Sequence, residues 1–184
     1  DRKIAAKIVD ADAIRKARVM PYQLLTAHAM AEEGVPAIVR TALEGAMQIA
    51  ISNVPSIEGK VAVCVDVSGS MASPVTGRRK GATSAMRYVD VAALVAAAIL
   101  DKNRSATVIP FDGKVHDARL SSRDSVMTNA RILAAYGGGS TNCSAALSAL
   151  NKRKEAPDLA VFVSDNQSWI DRSGRGTAMM AEWE

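Results

Sequence analysis

After Lys60, strand-like and helix-like patterns alternate, which predicts an α/β fold: a mostly parallel sheet with helices on both faces. Two further observations support that fold class. Leu159 to Val163 is an unbroken apolar run, as expected of a strand covered on both faces and paired on both edges. Residues 1–58 carry helical patterns only, so a helical segment precedes the sheet. The chain is therefore expected to divide into 1–58 and 59–184.

Ala13 to Arg18 reads as helical. Met20 cannot easily extend that helix, because the residue before a proline is pushed toward extended backbone. Pro21 instead opens a new helix at its first position, running to about Glu33, with Gly34 as its expected cap. Ile38, Ala42, Ala46 and Ile49 recur on one face of a third helix, Pro36 to Asn53. Val61 to Asp66 then suits a strand, and Val89, Ala92, Ala93, Ala96, Ala97 and Leu100 form a wide apolar helical face. Ala106 to Phe111 is a second strand. Asp112-Gly113 signals a turn, and Lys114 to Ala118 is expected to return as a short antiparallel edge strand. Val126, Ala130 and Leu133 mark a helix, Cys143 to Asn151 another, and RGTAMMAEWE the opening of a third. The run in DLAVFVSD would leave an exposed apolar edge, so further strands are expected after Glu184.

With 184 residues, 48% of them apolar, the chain has enough material for a core. A net charge of +4 and a pI near 9.2 permit an anionic partner without requiring one. No apolar run approaches the ~18 residues of a membrane span, and DRKIAAKIVD lacks the pattern of a signal peptide, so no membrane partner is expected. Cys64 and Cys143 have no metal-ligand spacing and read as buried thiols in a reducing, cytoplasmic compartment.

Ligands of open α/β sheets bind beyond the carboxyl ends of the strands. Three stretches should reach that edge: Asp66 with Ser68 and Ser70, the glycine loop carrying Ser140 and Thr141, and Asp165. They bring carboxylates and hydroxyls. Hard oxygen donors suit Mg2+, Ca2+ or Mn2+ better than zinc or copper. One directly bound carboxylate against a double positive charge would leave the site electropositive, favouring an anionic carboxylate or phosphate ligand. The plainer alternative is a capped loop. His28 reads as a satisfied helix residue and His116 as an exposed strand residue, both away from this edge. With no base or nucleophile there, the edge reads as a binding site and not as an enzyme.

VDVSGSM, GGSTN and VSDN together resemble the metal-ion-dependent adhesion site of von Willebrand factor type A domains, whose fold is Rossmann-like. The resemblance implies Asp66, Ser68, Ser70 and Thr141 as ligands, with Asp165 binding directly or through water. IRKARVMPYQLLTA, then VRTALEGAMQIAISNVP leading into GKVAVCVDVSGSM, is similar to the junction in Ro autoantigen family proteins. STNCSAAL and FVSDNQSW resemble later segments of that family. There a ring of HEAT-like helical repeats, the TROVE module, passes into a type A domain. The resemblance implies that 1–58 holds the last helices of an RNA-binding module and 59–184 a type A domain lacking its last strands. It also implies a ribonucleoprotein component that binds small noncoding Y RNA and misfolded RNA in quality control or processing, with an exoribonuclease as a further partner. The type A resemblance by itself leaves open a metal-dependent protein-binding domain of an adhesion or chelatase-like complex. No motif fixes RNA contacts. Arg15, Lys16, Arg18 and Arg40 are candidates by charge, against a solvated helix face, and GRRKG (Gly77 to Gly81) is a basic loop.

Overall fold

The computed structural model describes residues 1–31, 34–75, 86–165 and 178–183. The chain falls into two compact units. The first holds residues 1–56, with Pro74, Val75 and Met86 grouped beside them; the second holds the remaining described residues from Ile57 onward.

The first unit contains α1 (Arg2–Ile8), α2 (Ala11–Lys16), α3 (Pro21–Met30) and α4 (Ala37–Ala50), the last running into a tighter turn at Ile51–Asn53. Helix α1 was not marked by the sequence pattern; it buries only Ala5. Asp10 starts α2 by accepting the Asp12 and Ala13 amides at 3.1 and 3.0 Å. Pro21 does open α3, and Gln23 reaches back to accept the Met20 amide at 2.8 Å. Helix α4 buries Ala42, Leu43, Ala46, Met47 and Ala50, while Ile38 at its start is exposed. Ile14, Ala46 and Ala50 form the centre of this unit, with Ile8, Val19 and Leu24 against them. Asn53 ties α2 down by donating to the carbonyls of Ile14 and Val19 at 3.2 and 2.8 Å. The described residues of this unit form four helices, and no ring of helical repeats is seen among them.

The second unit is built on β1 (Val61–Asp66), β2 (Thr107–Phe111) and β3 (Leu159–Val163). These three strands pair with one another in parallel, in the order β2-β1-β3. Between the strands run α5 (Tyr88–Lys102), α6 (Val126–Ala134) and α7 (Ser144–Arg153), followed by α8 (Ala178–Trp183). One face of the sheet, with Ala62, Cys64, Ile109 and Phe111, packs on Ala146, Leu147 and Leu150 of α7. Phe111 and Phe162 meet edge to face, their centroids 6.0 Å apart. Helix α5 covers the sheet with a row of buried alanines, and α6 packs beside it. Asn103 closes α5: its Oδ1 accepts the Ile57 amide at 2.8 Å, and its Nδ2 donates to the Ile99 carbonyl at 2.9 Å.

Among the described residues β1 is the strand with neighbours on both edges, and it is buried along its whole length. There β3 pairs with β1, and its first residue, Leu159, is 41% exposed. One sequence expectation is corrected here: the antiparallel edge strand expected over Lys114 to Ala118 is absent among the described residues. The chain turns back for a single antiparallel bridge, Phe111 with Val115, and one further bond from the His116 amide to the Pro110 carbonyl at 2.9 Å. The Asp112 side chain draws the turn inward by accepting the Lys114 amide at 3.1 Å, and the ladder stops there.

Cys64 and Cys143 form no disulfide. Burial, reinforced by the nearby Cys143, pushes the Cys64 thiol up to about 12. A raised thiol value favours the folded state at low pH, and that advantage is lost as pH rises from the unfolded value of 9.0 toward about 12. Cys64 should resist a thiol reagent at pH 9 in the folded protein and react on denaturation, with the half-buried Cys143 modified first; mass spectrometry of timed reactions checks this. Asn103→Ala takes the side-chain acceptor from the Ile57 amide, while the Ile99 carbonyl keeps the Asn103 main-chain amide at 2.8 Å; the loss should cost about 1–3 kcal/mol, read by denaturant unfolding.

Candidate metal centre

Parallel register determines what gathers at the carboxyl edge. Asp66 lies opposite Phe111, and Val65 lies opposite Val163. Asp112 and Ser164 are therefore the next residues to emerge on either side of Asp66. The Asp66 carboxylate is fully buried. Its Oδ1 accepts the Ser68 amide at 2.8 Å and its Oδ2 accepts the Ser164 hydroxyl at 2.7 Å. A carboxylate offers about four acceptor directions, so these bonds leave it further capacity.

Ser68 is buried and Ser70 half-buried, with their hydroxyl oxygens 3.2 Å apart. Asp165 is half-buried and follows Ser164 directly. Thr141 is buried on the loop between α6 and α7. That loop is stitched to the Asp66 loop by two backbone bonds, from the Gly69 amide to the Gly139 carbonyl at 2.9 Å and from the Gly138 amide to the Val67 carbonyl at 3.3 Å. Gly137 makes the approach possible: its φ is +134°, and a Cβ there would strike the Val67 carbonyl oxygen. All five residues marked in the sequence thus lie at one end of the sheet. Among the described residues, no three His, Cys, Asp or Glu side chains gather into a metal-binding group, so the donors at this edge are mainly hydroxyls.

Sequence reasoning missed the other half of the edge. Asp112 is buried, and its Oδ2 lies 3.0 Å from His116 Nε2. Nε2 makes no well-formed hydrogen bond in this geometry, so the pair is a close polar contact. His116 is therefore not the exposed strand residue expected, nor is it away from this edge. Its side chain is 19% exposed and its ring leans on Tyr136, centroids 5.4 Å apart, at the root of the glycine loop. Burial opposes ionisation of Asp112, but the Lys114 amide, the His116 ring and the Gly139 amide outweigh it and hold its carboxyl below the usual range. Ser164 was missed too, although the strand register was the signal that would have found it.

The remaining candidates are placed separately. His28 lies in α3 with Nε2 3.3 Å from Glu44 Oε1, a satisfied helix residue as expected. Arg15 and Lys16 are exposed on α2, Arg15 paired with Asp12 at 3.2 Å; Arg18 is exposed just after it, and Arg40 is half-buried on α4. Gly77 to Gly81 and the NQSW part of FVSDNQSW lie outside the described residues. No helix among the described residues is long and apolar enough to cross a membrane.

A parallel three-stranded sheet with helices, an Asp-x-Ser-x-Ser turn after the central strand and a glycine loop locked against it define a von Willebrand factor type A domain. The family model described as the Ro60 vWA domain matches residues 60–181, more than half of the chain, and the chain belongs to that family. No curated protein matches it. A crystal structure of the Deinococcus radiodurans Ro (Rsr) protein is similar in fold, with a TM-score of 0.75 and 19% identity over 98% of this chain. The chain spans 38% of that protein's chain.

Gly137→Ala should destabilise the sheet unit by roughly 1–3 kcal/mol, the usual cost of a side chain in a glycine-only backbone region. Thermal unfolding checks it; an unchanged midpoint would mean that the loop can move off Val67.

Proposed function

We propose that this chain is part of a Ro-type RNA-binding protein and that the carboxyl edge of its sheet is a divalent-cation docking site. The observation that carries the metal reading is the pair of hydroxyls on Ser68 and Ser70 beside the buried Asp66 carboxylate. Their 3.2 Å spacing suits neighbouring corners of an oxygen octahedron, which are about 2.9 Å apart when each oxygen is 2.0–2.1 Å from Mg2+. Asp66 supplies the negative charge, Ser68 and Ser70 hydroxyl oxygens from the same loop, Thr141 one from the second loop, and Asp165 a carboxylate directly or through water. Mg2+, or Ca2+ or Mn2+, bound there would supply a positive centre for an anionic oxygen of a partner. That oxygen belongs to an acidic side chain of a protein, such as an exoribonuclease, or to a phosphate. The edge holds hydroxyls and carboxylates already engaged with backbone amides, which fits docking and not catalysis.

Family membership supports the RNA side of the reading: small noncoding Y-type RNA and misfolded RNA, held by a helical ring to which α1–α4 would contribute. The alternative, a type A domain that docks proteins in an adhesion or chelatase-like complex, predicts metal-dependent protein capture and no RNA.

Two measurements test this. Full-length protein purified with and without Mg2+ should retain small structured RNAs, identified by sequencing; a preparation free of RNA that holds a protein only with Mg2+ would favour the alternative. Asp66→Ala should weaken Mn2+ binding by more than about tenfold, and Thr141→Ala by less, since a hydroxyl carries no formal charge. Equal losses in calorimetric titrations would contradict the charge argument.

A further inference from the structure

We propose that Asp112 is a positioning residue that clamps the glycine loop on both sides of Thr141. The inference rests on the metal reading above and assigns a role to a residue outside the five candidate ligands.

The clamp has two jaws from a single residue. The side chain meets the loop before Thr141: a Cβ added at Gly139 would fall 2.5 Å from Asp112 Oδ2. The main chain meets it after Thr141: the Asn142 amide donates to the Asp112 carbonyl at 2.9 Å. Between these points the turn itself presses on the loop, since a Cβ at Gly113 would lie 2.8 Å from Ser140 Oγ. The two carboxylate oxygens divide the work. Oδ1 accepts the Lys114 amide and keeps the turn, whereas Oδ2 faces Gly139 and His116. His116 also backs the loop at its root through Tyr136, whose hydroxyl donates to the Asp117 carbonyl at 3.0 Å. Of the five candidate ligands Thr141 is the one on the glycine loop, and its chain segment has no regular secondary structure to hold it. A donor on an irregular loop is useful only if that loop is held before the ligand arrives. Gly139 is then glycine for space, since any side chain would push the carboxylate away.

The test uses the full chain and Mn2+ alone, titrated by electron paramagnetic resonance, with amide exchange measured in the metal-free protein. D112N keeps the Oδ1 acceptor for the turn and loses the charge facing Gly139. G139A leaves Asp112 in place and drives the loop from it, so it decides the matter if D112N does not fold. Both variants should bind Mn2+ several-fold more weakly, and no more weakly than Thr141→Ala, because the clamp acts through that hydroxyl. Thermal midpoints should fall by only a few degrees, the Gly139 and Asn142 amides should exchange faster, and the Gly139 amide resonance should move upfield in D112N. Wild-type Mn2+ affinity and exchange in both variants would overturn the clamp alone. Lost affinity that appears only with a collapsed midpoint would make Asp112 a fold residue and also overturn it. A wild-type chain that binds no Mn2+ refutes the metal reading and removes the clamp's purpose with it.

Discussion

A carboxylate sits with no exposure at the end of a strand that is hydrogen-bonded on both edges, and much of the second unit is arranged around it. Burying a carboxylate without partners would cost several kcal/mol. The parallel ladders supply what it needs. Because Val65 pairs with Val163, Ser164 emerges beside Asp66 and donates to Oδ2. Because β1 bends immediately after Asp66, the Ser68 amide turns back on Oδ1. A slip of one residue in β3 would replace Ser164 at that position and would also turn its apolar residues to the wrong face. The apolar packing of Cys64, Phe111 and Phe162 against α7 and the polar requirement of Asp66 therefore specify the same register.

The carboxylates at this edge have separate tasks, although a count of charges would treat them alike. Asp66 is solvated by one amide and one hydroxyl. Asp112 is spent on backbone amides and on the His116 ring, which holds its carboxyl below the ordinary range. Its charge is thus engaged with the turn and the loop. The electropositive character expected of a cation held by Asp66 then depends on the short list of oxygens on the Asp66 and Thr141 loops, not on the total acidity nearby.

Much of this was legible in the sequence because single segments carried the signal. The run VAVCVD is β1 to the residue, and the alanine-rich face from Val89 to Leu100 is α5. The helix marked by Val126, Ala130 and Leu133 is α6, and those three side chains are the ones it buries along with Asn129. What failed depended on which side chain takes which backbone group. Asp112-Gly113 does announce a turn, but no local pattern says that the Asp112 side chain will compete with the ladder for the Lys114 amide. Nor does it say that His116, one alternation step along, will face inward. The candidate site divides in the same way: the residues of the Asp-x-Ser-x-Ser turn are visible by spacing, whereas Ser164 and Asp112 follow only from the register.

The glycine loop shows why spacing alone was insufficient. Its three consecutive glycines read as general permission for close approach, yet two of them answer different demands. At Gly137 the demand is conformational: a φ of +134° against the Val67 carbonyl excludes a side chain on two counts. At Gly139 the demand is for room, because the Asp112 carboxylate occupies the place a Cβ would take. The first locks the loop to β1 and the second to the turn after β2, so Thr141 is located by both of the paired strands. A loop fixed only to β1 would be free to swing about that line. Fixing it to a second strand removes the swing, and the rigidity of the parallel sheet is passed to a hydroxyl that has no regular structure of its own.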